Sequence, residues 1–118
     1  MKVFIIIMLS IVTTGCVRHA STSSLEAGAE KIKVYRKSDP PSTCVEIRPF
    51  SATNGNGCGL LGSMGSFEGA YNTLRNTVIQ MGGNAVLIEN ELPPHAAPGC
   101  YVNTYLINAV AYKCSTTP

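Results

Sequence analysis

The stretch SFEGAYNTLRNTVIQMGG, residues 66–83, reads as one amphipathic helix with both ends marked. Phe67, Ala70, Tyr71, Leu74, Val78 and Met81 recur at spacings of 3, 1, 3, 4 and 3, which lines them along a single face. Ser66 suits the N-cap, Glu68 complements the positive end of the helix dipole, and Gly82-Gly83 supplies the stop. NAVLIEN, residues 84–90, follows at once as a buried strand. Upstream, Ile32, Val34 and Tyr35 alternate with Lys31, Lys33 and Arg36, the period-2 pattern of a half-buried strand. Pro40-Pro41 forces a turn, and a second strand spans about Thr43–Phe50, where Val45 and Ile47 show no simple alternation. Asn54–Ser66 is a Gly-rich loop, Leu92–Gly99 a Pro-rich one, and Tyr101 to about Lys113 the last strand. The order is β-β-loop-α-β-β. It predicts an α+β fold with one helix on a small, largely antiparallel sheet.

The N-terminus reads differently. Lys2, the apolar run Val3–Leu9 with Ile11 and Val12, and small residues before Cys16 make a secretory signal too short to span a bilayer. Thr13-Thr14-Gly15-Cys16 resembles the lipobox of bacterial lipoproteins, with Thr13 where Leu is commoner. The resemblance implies that Cys16 is acylated and becomes the mature N-terminus. Val17 is not the Asp that favours inner-membrane retention, so a lipid anchor in the outer membrane is expected. The chain therefore divides into a signal peptide (1–15), a lipidated Cys16 with a flexible tether (16–30), and a single disulfide-bonded domain (31–118). His19, within the tether, is read as solvated.

The formal charge of the whole chain is +2, and loss of Lys2 lowers it by one. Such a balance offers no electrostatic case for nucleic acid or for a strong membrane-surface patch. With no Trp and three Phe, the core is modest and covalent staples would help. Cys44, Cys58, Cys100 and Cys114 form an even set in an exported small domain, which reads as two disulfides with three connectivities open. Their separations of 14, 42 and 14 residues lack the close pairs of a zinc site, and no metal is expected.

Gly57-Cys58-Gly59-Leu60-Leu61-Gly62 matches G-x-G-x-x-G. A dinucleotide site needs the helix to begin at that loop within a βαβ unit, and here it begins several residues later. The glycines are read as positive-φ positions in a tight loop, with no cofactor. Leu60, Leu61 and Met64 either fold back over the core, the expected outcome, or form a partner surface. His95 stands alone in its loop, and Glu89 and Glu91 are read as solvated on one strand face. No nucleophile, base and oxyanion donor come together, so no enzyme and no catalytic residue is expected.

The helix, Asn84-Ala85-Val86 and Pro98-Gly99-Cys100-Tyr101, with Cys58 before the helix and the lipobox, together resemble the RcsF family of outer-membrane lipoproteins, sensors of envelope stress for the Rcs phosphorelay, and related small lipoproteins. The resemblance covers about residues 43–114. It implies a one-helix, small-sheet domain with a Cys58–Cys100 disulfide, leaving Cys44 to pair with Cys114. That leftover pair suits two antiparallel neighbours, the start of strand two and the end of the last strand. Two features depart from the family. Glu89-Asn90-Glu91 stands where its second bridge would clip the strand after NAV, and residues 17–30 contain no proline and reach at most about 48 Å. The resulting expectation is a non-enzymatic lipoprotein acting by protein–protein contact in the envelope, with stress sensing as its finest form. Small-ligand binding through the Gly57–Ser66 loop and a purely structural envelope role are the alternatives.

Overall fold

The structure is a computed structural model that describes residues 17–115. The signal segment and Cys16 lie outside them. In chain order the elements are β1 (Lys33–Tyr35), β2 (Cys44–Asn54), α1 (Phe67–Gln80), β3 (Ala85–Leu92), β4 (His95–Ala97), β5 (Cys100–Val102) and β6 (Tyr105–Cys114). Short 3₁₀ turns occupy Ala29–Lys31 and Gly59–Leu61. Four strands form one sheet in the order β1-β3-β6-β2, and β4-β5 is a separate hairpin. The α+β expectation holds, with one helix, a mostly antiparallel sheet and both disulfides, Cys58–Cys100 and Cys44–Cys114.

The helix forms as its residues dictate. The Ser66 hydroxyl accepts from the Gly69 N–H at 3.0 Å, and the chain leaves through Gly82 at φ +79°. Its buried face presents Ala70, Leu74 and Val78 to Val86 and Ile88 of β3, Ile107, Ala109 and Ala111 of β6, and Ala52 of β2. Small residues in β6 let the two layers approach closely. Asn84 then extends the sheet by one side chain: its amide donates to the Cys114 carbonyl at 3.0 Å, and its oxygen accepts from the Cys114 N–H at 2.7 Å.

The chain turns around Pro40-Pro41 as expected, the Pro41 carbonyl accepting from the Cys44 N–H at 2.9 Å, and links β1 and β2 at opposite edges of the sheet. The connection crosses the sheet on the face away from α1, where the charge of Asp39 reaches the outer-facing Tyr112. The Pro-rich segment Leu92–Gly99 is not all loop, since His95–Ala97 pairs with Cys100–Val102. The last strand accordingly breaks at Asn103-Thr104 and restarts at Tyr105.

The largest correction concerns residues 17–30, read as a free tether. Arg18 and Ala20 bond to Met64, and the chain then runs along α1. Asn54, Asn72 and Asn76 donate their amides to the carbonyls of Ser21, Ser23 and Ser24. The Glu26 N–H donates to Asn76 Oδ1 at 2.8 Å, and Ala29 is fully buried. This strap is held by its backbone, which is why its side chains show no hydrophobic period.

Leu74, fully buried at the centre of the helix–sheet interface, should be the most sensitive core position. Leu74→Ala is expected to cost about 3–4 kcal/mol, read as a lowered midpoint in chemical denaturation of the oxidised protein.

Candidate functional site: the disulfide-braced upper end

The upper end of the domain is where β2 and β3 finish and β6 begins. Asn54–Ser66 leaves it as a Gly-rich loop. Gly57 and Gly59 adopt φ of +70° and +60°, so two glycines of the G-x-G-x-x-G string serve as left-handed turn positions. Gly62 is required for another reason. A Cβ there would collide with the Asn56 carbonyl oxygen and with the Asn103 amide.

Asn103 organises this loop. It is 2% exposed and sits at the break before β6. Its amide donates to the Gly59 carbonyl at 2.7 Å and to that of Asn56 at 3.5 Å, and its N–H donates to the Gly57 carbonyl at 3.2 Å. Its own carbonyl accepts from the Gly65 N–H at 2.8 Å. Cys58–Cys100 adds a covalent tie from the loop to the β4-β5 hairpin, reinforced by bridge pairing of Cys58 with Val102. Asn54 continues the polar frame, accepting from the Ser66 N–H at 2.9 Å.

Held this way, the loop projects its leucines. Leu60 is 78% exposed and Leu61 100% exposed, while Met64 is partly buried beside the strap. The expectation that all three fold back over the core is corrected. The loop's carbonyls are already taken by Asn103, so the segment has no freedom to collapse inward. Phe67, Leu92, Tyr101 and Val17 are exposed at the same end, whereas Val45 and Ile47 lie toward the other.

Glu91 and Glu89 do not share a face. A bulge between Ile88 and Asn90 takes Glu89 out of register and pairs Glu91 with the core-facing Ile107. Glu91 then forms an ion pair with Arg36 at 2.6 Å and accepts from the Tyr105 hydroxyl at 3.3 Å. Arg36 also stacks over Phe67, 5.6 Å from the ring centroid. Burial, followed by the Glu91 charge, raises the Tyr105 pKa above its usual 10.0. Glu89 and His19 are exposed, and His95 Nδ1 sits 3.0 Å from the Pro93 carbonyl. Among the described residues, no group of three or more His, Cys, Asp or Glu could hold a metal. Nor is any helix there long and apolar enough to cross a membrane.

The sequence reading missed Asn103, Asn54 and the strap's asparagine partners. Their signal was weak: an Asn inside an apolar strand pattern marks a break, and nothing more.

This is a small, doubly disulfide-stapled α+β domain that offers an apolar end. The chain belongs to the DUF4156 family, a domain of unknown function, which matches residues 23–114. The match begins inside the strap, so the family's domain includes most of it. No curated protein and no solved structure matches the chain.

Two outcomes follow from this geometry. Asn103→Ala removes the amide that donates to the Gly59 and Asn56 carbonyls, while its backbone bonds remain, and should destabilise the protein by about 1–2 kcal/mol in urea titration. For Tyr105, a raised folded-state pKa means that the unfolded chain loses its proton first as pH rises. Its contribution is therefore fully present below pH 10.0 and is lost as pH climbs through the folded value. Tyr105→Phe should flatten that alkaline decline, measured as unfolding midpoint against pH.

Proposed function

We propose that the chain is a non-enzymatic lipoprotein, anchored in the outer membrane through acylated Cys16, that works by protein–protein contact in the cell envelope. Reporting envelope stress to a phosphorelay is the finer form of this reading, and it rests on the resemblance to RcsF. One observation carries the contact role. Large apolar side chains of the upper end, Phe67, Leu92 and Tyr101 as well as Leu60 and Leu61, are exposed together on a frame braced by a disulfide and by Asn103. Exposed apolar groups in one cluster are unusual for a domain that acts alone, and they fit docking better than chemistry. Paired cysteines on strands that meet support an oxidising compartment. The sequence at Cys16 supports the anchor.

In fractionated cells, Cys16→Ser should move the protein out of the membrane fraction and remove the acyl mass from the mature chain. A membrane-bound protein of unchanged mass would overturn the anchor. A photo-crosslinking residue in place of Tyr101 should give a discrete adduct with an envelope protein, and no adduct there would count against the protein-contact role.

A further inference from the structure

The Leu60–Leu61 tip and the lipid-bearing terminus emerge at the same place. His19 pairs with Met64 in parallel, with the Met64 N–H donating to the Arg18 carbonyl at 2.7 Å and the Ala20 N–H to the Met64 carbonyl at 2.8 Å. In a parallel pair, walking toward the N-terminus on one strand keeps pace with walking toward it on the other. From His19 the chain thus heads toward Val17 as its neighbour heads from Met64 toward Gly62 and Leu61. Cys16 is the next residue toward the N-terminus in the sequence, and adjacent α-carbons lie about 3.8 Å apart. Pairing to the domain is already present at Arg18, two residues from Cys16 in the sequence.

An acylated Cys16 sits at the bilayer surface, so the neighbouring loop must lie there too. The tip has the composition that surface accepts. Leu60 and Leu61 are the most exposed large apolar side chains among the described residues, Val17, two residues before the His19–Met64 pair, is half exposed, and Arg18 is exposed where a lipid phosphate can meet it. The flanking glycines and Ser63 are small enough not to hold the leucines away from the surface. Neither Asp nor Glu lies between Asn54 and Ser66, so no carboxylate there would resist approach to an anionic surface.

We propose that the Leu60–Leu61 tip rests in the interfacial layer of the bilayer beside the acyl chains of Cys16, fixing the orientation of the domain on the membrane. The inference rests on the anchored-lipoprotein reading and names the partner of one part of its apolar end. Protein contacts then fall to the rest of the apolar end, including Tyr101 and Leu92 on the hairpin side.

The chain contains no Trp, so a single Trp is an unambiguous probe. Leu61→Trp replaces a fully exposed side chain and should not disturb packing. Val45→Trp, 68% exposed toward the opposite end of the sheet, is its control. Each full-length, acylated mature protein is reconstituted into vesicles of phosphatidylethanolamine and phosphatidylglycerol. Leu61→Trp should show a blue-shifted emission and quenching by lipids brominated on the acyl chain, and Val45→Trp neither. If the acylated protein floats with the vesicles while both emissions stay water-like, the tip assignment is overturned and the anchor stands. If the protein carries no acyl mass and does not float, the anchored reading fails and the inference with it. A photo-crosslinking residue at 61 that yields only protein adducts in cells also overturns it.

Discussion

β6 is hydrogen-bonded along both edges, to β2 from Cys44 to Asn54 and to β3 from Ala85 to Leu92, and the domain is arranged around that double pairing. A strand paired on both sides must put every second side chain against the helix, and β6 does so with Ile107, Ala109 and Ala111. The two alanines leave room for Leu74 and Val78 to seat directly on the sheet. Larger residues there would lift α1 and open the layer above β2 and β3. The position of β6 also explains the crossover. β1 attaches to the far side of β3, in parallel, so the chain has to pass over two strands before β2 can begin.

Both neighbours of β6 carry a bulge, one at Ile47 and one at Glu89. Each bulge resets which face the following residues occupy. In β2 this is why Val45 and Ile47 showed no simple alternation in sequence. In β3 it turns Glu91 toward the helix side, where Arg36 and Tyr105 receive it. A period-2 reading does not locate the inserted residue: in β2 it shows only broken alternation, and in β3 the spacing of Glu89 and Glu91 looks regular. The helix was fully legible for the opposite reason: its apolar spacing runs without interruption for four turns, and both caps have distinctive residues. The disulfide pairing was legible as well, through the resemblance at Cys58 and Cys100 and through the antiparallel register that sets Cys44 opposite Cys114.

The strap shows where composition misleads. Residues 17–30 are small and polar, the usual mark of a chain that cannot bury enough to order itself. Here the order comes from outside the segment. Asn72 and Asn76, four residues apart on α1, offer amides to backbone carbonyls, and Gln80, a further turn along, reaches Glu26 at 2.7 Å. Small side chains help, because they let the strap lie close enough to the helix for side-chain-to-backbone bonds. Asparagines on the exposed side of an amphipathic helix look like ordinary solvated positions, so this docking face carries no hydrophobic signature.

The two disulfides do different work. Cys44–Cys114 closes a separation of 70 residues at the lower end, between strands that are already paired, and in the chain-entropy model such a closure contributes about 4 kcal/mol. Cys58–Cys100 acts where the domain has no core. Leaving a leucine in water rather than burying it forgoes about 1.5–3 kcal/mol, so a loop free to move would be expected to fold Leu60 and Leu61 onto the nearest apolar surface. What opposes that collapse is polar and covalent. Asn103 occupies the carbonyls that would have to turn, Gly62 is seated against Asn56, and the bridge holds the loop to the hairpin. Exposure of the tip is thus imposed by its frame. A fold that spends a disulfide and a buried asparagine on keeping two leucines outside is built to bring them against something else.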